Sequence, residues 1–389
     1  MSSEMSSEMS SEPEILLDRC GTAGIVTVNR PAALNAVTRA MVLTLHEALE
    51  RWRHDGAVSR VIVTAAGGRA FSAGGDLRAI YEAGRAGRQD ESIAFWREEY
   101  ALNAAIKHYP KPYVALINGI VMGGGVGISL HGSHRVAGER FQFAMPEVGI
   151  GFFPDVGATW FLPRLPGEIG TYCALTGERL QLADALAVGI ATCHVASARF
   201  AELTEALCGA ASVDAILAAF AEPVSSPLVG AGGRGADVPH PSTSTPDPSP
   251  QGGGEKSPFA HRSAIDRIFA ADSVEDILAL LDAQATTANS EARWAAEVAA
   301  MIRTKAPLSL KIALAQMRRG RNWSFAQCMQ AEFRIVSRVA YGHDFYEGIR
   351  AVIIDKDNRP HWHPATLAEV TPECVECHFA PLQAELALP

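Results

Sequence analysis

The chain has 389 residues, 48% of them hydrophobic and 20% charged, a balance that excludes a mainly disordered, collagenous or coiled-coil protein. Its 43 acidic residues against 34 basic ones leave a net charge of −9, so no global basic field draws it to nucleic acid or to an acidic membrane. At roughly 150 residues per domain the length allows two or three domains, or one enlarged core with an appended element.

Residues 1–12, MSSEMSSEMSSE, form an acidic polar near-repeat that is expected to be disordered. It lacks the positive start and apolar stretch of a signal peptide, and Glu4, Glu8 and Glu12 oppose a mitochondrial presequence. No apolar run reaches the roughly 18 residues needed to span a bilayer, and the expectation is a cytoplasmic protein. The seven scattered cysteines fit a reducing compartment better than a disulfide framework. Cys374-x-x-Cys377-His378 has ligand-like spacing, but no second Cys or His pair completes a metal site nearby, and no metal is expected.

Ile15–Leu17 and Gly24–Val28 read as two strands around a turn at Cys20-Gly21-Thr22. From Thr38, a plausible N-cap, Met41, Leu45, Ala48, Leu49 and Trp52 recur at helical spacing. Val58–Thr64 restores a buried strand, helical periodicity runs through Phe95, Tyr100, Leu102 and Ile106, and Tyr113–Ile117 is the next strand. This alternation predicts parallel α/β layering with functional loops at strand C-terminal ends.

Two glycine-containing turns follow those strands, Gly67–Leu77 and Gly119–Gly127. Glycines let neighbouring N–H groups converge on one oxygen, although tight turns and close helix packing are the plainer explanation of either run alone. Neither has the Lys-Ser/Thr ending of a nucleotide-binding loop. In the next segment, Arg140–Gly157, Glu147 and Asp155 lie among Met145, Phe152 and Phe153. An acid in such surroundings is paired, hydrogen bonded or raised in pKa, the conditions from which acid/base catalysts are drawn; capping a turn is the plainer alternative.

These stretches together resemble the crotonase (enoyl-CoA hydratase/isomerase) superfamily and, within it, the 3-hydroxyisobutyryl-CoA hydrolase family. The matching runs are Asn29-Arg30-Pro31 with Ala33–Ala36, Phe71–Leu77, Tyr113–Gly127 with its MGGGVG ending, and FAMPE with GFFPDVG. Similarity resumes at Lys305–Lys311 and again at Asp355–Asp357 and Pro364–Leu367. The resemblance implies an α/β spiral of repeated ββα units with a helical C-terminal region closing an acyl-CoA site. It implies hydrolysis of 3-hydroxyisobutyryl-CoA to 3-hydroxyisobutyrate and CoA in valine catabolism, without a cofactor. The alternatives are an enoyl-CoA hydratase or isomerase, or a non-catalytic acyl-CoA binder.

As the resemblance implies, the amides of Ala73 and Gly124 grip the thioester carbonyl, Glu147 and Asp155 carry the chemistry, and Glu99 joins Gly124, Glu147 and Asp155 in binding substrate. CoA is expected along Ala33-Leu34-Asn35 and Gly75-Asp76-Leu77, with Arg30, Arg69 and Arg78 as candidate phosphate partners. A hydratase of this scaffold has a second glutamate where this chain has Gly127, which argues against hydration. His131, His134 and His194 are spaced with no obvious Ser or Cys nucleophile, and Ser129 lacks a nucleophile-elbow sequence.

Segments Leu180–Phe220 and Ala264–Thr304 have mainly helical periodicity. Between them Val229–Pro258 is crowded with Gly, Pro, Ser and Thr and reads as a disordered insertion. The expected layout is a core over 13–220, the insertion over 229–258 and a helical C-terminal region over 259–389. Arg318, Arg319 and Arg321 suit a helix C-terminus, and Trp323, Phe325, Phe333 and Tyr341 read as packing anchors. The expected partners are an acyl-CoA substrate and, through the extra helices, a second copy of the chain, with no nucleic acid and no membrane.

Overall fold

β-Branched residues fill Ile25–Val28 and Val61–Thr64, and a glycine or proline follows each of these runs within three residues. β1 (Ile15–Cys20) pairs antiparallel with β2 (Ala23–Val28) across Gly21-Thr22. Thr38 accepts the Met41 N–H at 3.2 Å and starts α1 (Arg39–His54), whose buried stripe is Met41, Leu45, Ala48, Leu49 and Trp52. The computed structural model describes residues 12–224 and 258–388. The expected insertion over 229–258, apart from Pro258, and all of segment 1–12 except Glu12 lie outside the described residues.

Three strand pairs then repeat: β3 (Arg60–Ala65) with β4 (Ala70–Ser72), β5 (Tyr113–Ile117) with β6 (Ile120–Met122), and β7 (His134–Ala137) with β8 (Gln142–Ala144). The first strand of each pair extends one sheet and the second builds another. With β9 (Leu180–Gln181) and β10 (Cys193–His194), the orders are β1-β2-β3-β5-β7-β10 and β4-β6-β8-β9. This is the expected spiral, a crotonase-type α/β fold with a helical C-terminal region. β4, β6 and β8 have no counterpart among the expected strands, because three residues are too short to show an alternation. β9 and β10 likewise break the expected helical run after Leu180, as two-residue pairings that only the sheet stabilises.

The small sheet positions the site. β4, β6 and β8 are parallel neighbours, so their C-terminal ends deliver Ala73–Asp76, Gly123–Gly125 and Met145–Glu147 to one place. α2 (Leu77–Arg85) and α3 (Gln89–Lys107) bridge β4 to β5, and a single helical turn, α4 (Gly124–Gly127), follows β6. Past Asp155 comes another short helix, α5 (Ala158–Phe161). Two C-terminal helices, Pro307–Gly320 and Phe325–Val339, pack against this layer.

The C-terminal arginines do not form a cationic patch. Arg318 and Arg321 both hold Glu168, Arg318 also donates to the Phe269 and Ala271 carbonyls at 2.6 Å, and Arg319 pairs with Glu376. Trp323, Phe325 and Phe333 pack as expected. Tyr341 does not: it is 60% exposed, with its hydroxyl on Asp90. Among the described residues no helix is long and apolar enough to cross a membrane.

Candidate active site

The three loops meet closely enough that glycine is required. Gly123 has φ +45°, a region that suits glycine, and a Cβ on it would sit 3.3 Å from Glu147 Oε1 and 3.4 Å from Gly74 Cα. At Gly124 a Cβ would lie 2.7 Å from Glu99 Oε1 and 3.4 Å from the Gly75 nitrogen. The turn after β4, the turn after β6, Glu99 and Glu147 therefore converge on one point.

Which amides face that point differs from the sequence expectation. The Ala73 N–H is not free, since it donates to the Leu34 carbonyl at 3.0 Å. Gly75 forms a parallel bridge with Val37, in which Val37 N–H bonds the Gly74 carbonyl at 2.8 Å and Asp76 N–H bonds the Val37 carbonyl at 2.9 Å. Such a bridge uses the groups on either side of Gly75 and turns its own N–H outward. The Gly124 N–H lies at the start of α4, where helical geometry supplies no acceptor. The pair of available donors is therefore Gly75 and Gly124. Ala73 remains part of the cavity wall.

A cavity of about 360 Å³ opens over these amides. Leu77, Ile80, Phe95, Trp96, Ile150 and Phe152 make most of it apolar, with Trp96 stacked on Phe152 at 5.6 Å between ring centres. Glu99, Glu147 and Asp155 line it together, as expected. α3 supplies Trp96, Glu99, Tyr100 and Asn103 from one face, three and four residues apart, all buried. Glu98, one residue out of phase, pairs instead with Arg39 at the surface.

Three buried acids with so few partners shift strongly. Burial, and then the charge of Asp155, push Glu99 and Glu147 well above the usual carboxylate range. Burial raises Asp155 to about 7, against the pull of the Tyr100 hydroxyl, which donates to Asp155 Oδ2 at 2.8 Å. Glu147 Oε2 and Glu99 Oε1 are buried without a hydrogen-bond partner among the described residues. Lys305 joins the wall near the Glu147 turn, and burial lowers its pKa. The adjoining Ala306 N–H fixes that turn by bonding the Val148 carbonyl at 3.1 Å.

Of the residues expected to hold CoA, Gly75 and Leu77 line the cavity. Asn35 is a structural clamp: its amide spans the Ala66 and Ala70 carbonyls at 2.9 and 3.0 Å and accepts the Arg30 N–H at 2.8 Å. That clamp holds Leu34 in its left-handed turn, with Ala33 exposed beside it. Asp76 caps α2 and pairs with Arg30 at 3.0 Å. Arg30 also holds Glu14 at 2.9 Å and the Ala36 carbonyl at 2.8 Å, so it is committed within the fold. Arg78 and Arg69 are exposed, and Arg78 reaches the carbonyl of Ile353, a cavity residue.

The histidines stay outside the cavity. His134 does have a serine neighbour, Ser133 Oγ at 2.8 Å from Nδ1, and Asp214 at 3.0 Å from Nε2. Ser133 Oγ, however, accepts the Tyr113 N–H at 3.0 Å and lies within 3.2 Å of the Tyr113 carbonyl, and the Asp214 side chain is 90% exposed. Ser129 donates to the Gly125 carbonyl at 2.6 Å and His194 bonds the Ala137 carbonyl at 2.9 Å. On the tail helix Cys377 and His378 both turn back onto the Cys374 carbonyl.

Gly127 packs where no side chain fits. A Cβ there would meet Asn103 Nδ2 at 2.7 Å and Val156 Cβ at 3.0 Å. Gly127→Glu is expected to gain no hydration of crotonyl-CoA and to lose about 2–3 kcal/mol of stability through overpacking, read as a lower Tm. Crotonyl-CoA hydration by that variant would overturn this expectation.

The enoyl-CoA hydratase/isomerase family matches residues 23–379. A mitochondrial 3-hydroxyisobutyryl-CoA hydrolase of Danio rerio is 43% identical over 97% of this chain and 92% of its own length. The mitochondrial 3-hydroxyisobutyryl-CoA hydrolase of Homo sapiens is 41% identical over 97% and 91%. Among solved structures, a carnitinyl-CoA dehydratase from Mycobacterium thermoresistibile superposes with a TM-score of 0.82 at 41% identity, covering 96% of this chain and 98% of its own. An enoyl-CoA hydratase from Rhodobacter sphaeroides gives 0.80 at 36% identity, covering 97% and 100%. The cytoplasmic expectation does not survive these findings, since the hydrolase relatives are mitochondrial proteins. It rested on the lack of a signal peptide and of a bilayer-spanning run and on the acids of segment 1–12, and none of these carries an address.

Proposed function

The chain belongs to the enoyl-CoA hydratase/isomerase family, and from that premise we infer that it hydrolyses 3-hydroxyisobutyryl-CoA to 3-hydroxyisobutyrate and CoA. The observation that carries the chemical part of this reading is the meeting of the free Gly75 and Gly124 amides with Glu147 and Asp155 in one cavity. The small apolar wall suits a short branched acyl group, and its acids offer acceptors to a 3-hydroxyl.

In the proposed mechanism the thioester oxygen sits between the Gly75 and Gly124 N–H groups, which stabilise the oxyanion that forms as the carbonyl carbon becomes tetrahedral. One such donor contributes about 3 kcal/mol to lowering the barrier. Oxygen reaches the carbon by one of two routes. In one, Glu147 attacks and water cleaves the mixed anhydride; in the other, Glu147 deprotonates the attacking water. Collapse breaks the C–S bond and releases the CoA thiolate, with Asp155 orienting the substrate hydroxyl or water and passing a proton. Glu99 completes the substrate-binding acids. CoA is proposed to leave the cavity past Gly75 and Leu77 toward the Ala33-Leu34 turn, with the exposed Arg78 as a phosphate partner in place of the committed Arg30. The division into a core over 13–220, an insertion over 229–258 and a C-terminal region over 259–389 is part of the same proposal.

The carnitinyl-CoA dehydratase and the enoyl-CoA hydratase among the solved relatives make a second reading worth testing directly. Thiol release from 3-hydroxyisobutyryl-CoA is expected to exceed that from isobutyryl-CoA by about tenfold in kcat/KM, the worth of one hydroxyl bonded to a buried acid. Hydration of crotonyl-CoA faster than thiol release from either ester would replace hydrolysis with hydration.

A further inference from the structure

The turn that carries Asp155 is held in an unfavourable shape from the far side of the chain. Val156, next to Asp155, has φ +51°, a region that a β-branched residue rarely enters. Such a conformation persists only where its surroundings fix it. Here the fixing groups come largely from the C-terminal helices. Gln316, on Pro307–Gly320, donates to the Pro154 carbonyl at 3.0 Å and to Thr159 Oγ1 at 2.7 Å. His131 donates through Nε2 to the Val156 carbonyl at 2.7 Å. Glu332, on Phe325–Val339, accepts the Gly157 N–H at 2.8 Å on Oε2 and the Thr159 N–H at 2.9 Å on Oε1.

Glu332 is the unusual member of this set. Its exposure is 0%, and no ion pair to it is found among the described residues. A buried carboxylate of this kind is costly unless its oxygens are satisfied, and here two backbone donors satisfy one oxygen each. Glutamine could not do the same. It presents one acceptor and one donor, so its amide would face either the Gly157 or the Thr159 N–H donor to donor. Two oxygens that each face an N–H call for a carboxyl group rather than an amide at a point two residues beyond Asp155, and burial raises this carboxyl to about 8 against the pull of those donors.

We propose that Glu332 is a positioning residue for the reaction, holding the Gly157–Thr159 backbone so that Asp155 keeps its place in the cavity against Tyr100. It touches neither the cavity nor the proposed reacting atoms, and it acts through Asp155. The C-terminal region thereby sets the reaction geometry as well as closing the cavity. This inference rests on the assignment of Asp155 as a working acid.

The test is a double-mutant cycle on the full chain with 3-hydroxyisobutyryl-CoA. Glu332→Gln is expected to lower kcat at least about tenfold while KM changes less than about threefold, because displacing a catalytic group by a fraction of an ångström acts on the chemical step. In an Asp155→Asn background the same substitution is expected to change kcat by less than about twofold, since the group it positions is already gone. Equal fold-losses in both backgrounds, or wild-type kcat in folded Glu332→Gln, would overturn the proposal. Should Glu332→Gln fail to fold, Glu332→Asp enters the same cycle, keeping the charge while shortening its reach, with the same outcomes deciding. Wild-type kcat in Asp155→Asn alone would instead strike at the assignment of Asp155.

Discussion

Replacing Glu147 by glutamine is expected to lower kcat for CoA release by about 10³-fold, equivalent to about 4 kcal/mol of barrier. The two proposed routes agree on this. A carboxylate can attack the thioester carbon or take a proton from water, and an amide of the same shape does neither efficiently. The substitution is also clean in structural terms, because Glu147 Oε2 has no hydrogen-bond partner among the described residues for the new amide to break. Burial raises the Glu147 carboxyl well above its usual range, so removing its ionisation should leave Tm unchanged or higher. Thiol release in single-turnover and steady-state assays, beside a melting curve, checks both parts. Release within tenfold of wild type would remove Glu147 from the chemistry.

The second large effect concerns pH and Asp155. With burial raising this acid to about 7, activity that needs its charge should climb through a step near pH 7. Glu99 and Asp155 influence one another, so the step belongs to the pair rather than to either acid. Asp155→Asn is expected to lower kcat by about 10²-fold and, by removing a neighbouring charge that raises Glu147, to move the remaining step to lower pH. Tyr100→Phe deletes the hydrogen bond that favours the ionised form, so its step should move to higher pH. Stability should run the opposite way. A folded-state pKa raised from 3.8 to about 7 means that the native protein holds the proton more tightly. Its contribution to stability is then full below about pH 4 and is lost as pH rises to about 7. Asp155→Asn should therefore melt higher than wild type at pH 8 while turning over more slowly. A flat kcat/KM profile between pH 6 and 8.5, or a Tyr100→Phe profile that does not move, would contradict this account.

Tyr100 and Glu332 show how much of the site could be read before folding. Tyr100 falls in the helical periodicity of α3 with Phe95, Leu102 and Ile106, which carries no hint that its hydroxyl holds Asp155. The phase of the same helix separates buried Glu99 from half-buried Glu98, which reaches the surface to pair with Arg39. Glu332 shares the buried stripe of its helix with Phe325, Cys328, Met329, Ile335 and Val336. An acid in the apolar phase of a helix was the available signal.

The residue order alone determined the alternation of strands and helices, the glycine turns, the unusual acids Glu147 and Asp155, and Gly127 in place of a second glutamate. These are local matters, decided by periodicity, by backbone freedom and by the cost of burying charge. Tertiary structure decided the rest. Whether an amide is free depends on what lies opposite it: Leu34 takes the Ala73 N–H, while the bridge to Val37 leaves that of Gly75 available. Arg30 and Asn35 looked free for CoA in the sequence and are spent within the fold. The three-residue strands that aim the loops exist only through their neighbours in the small sheet. Hydrogen bonds between residues more than a hundred positions apart, such as Glu332 to Gly157, have no local signature in the chain.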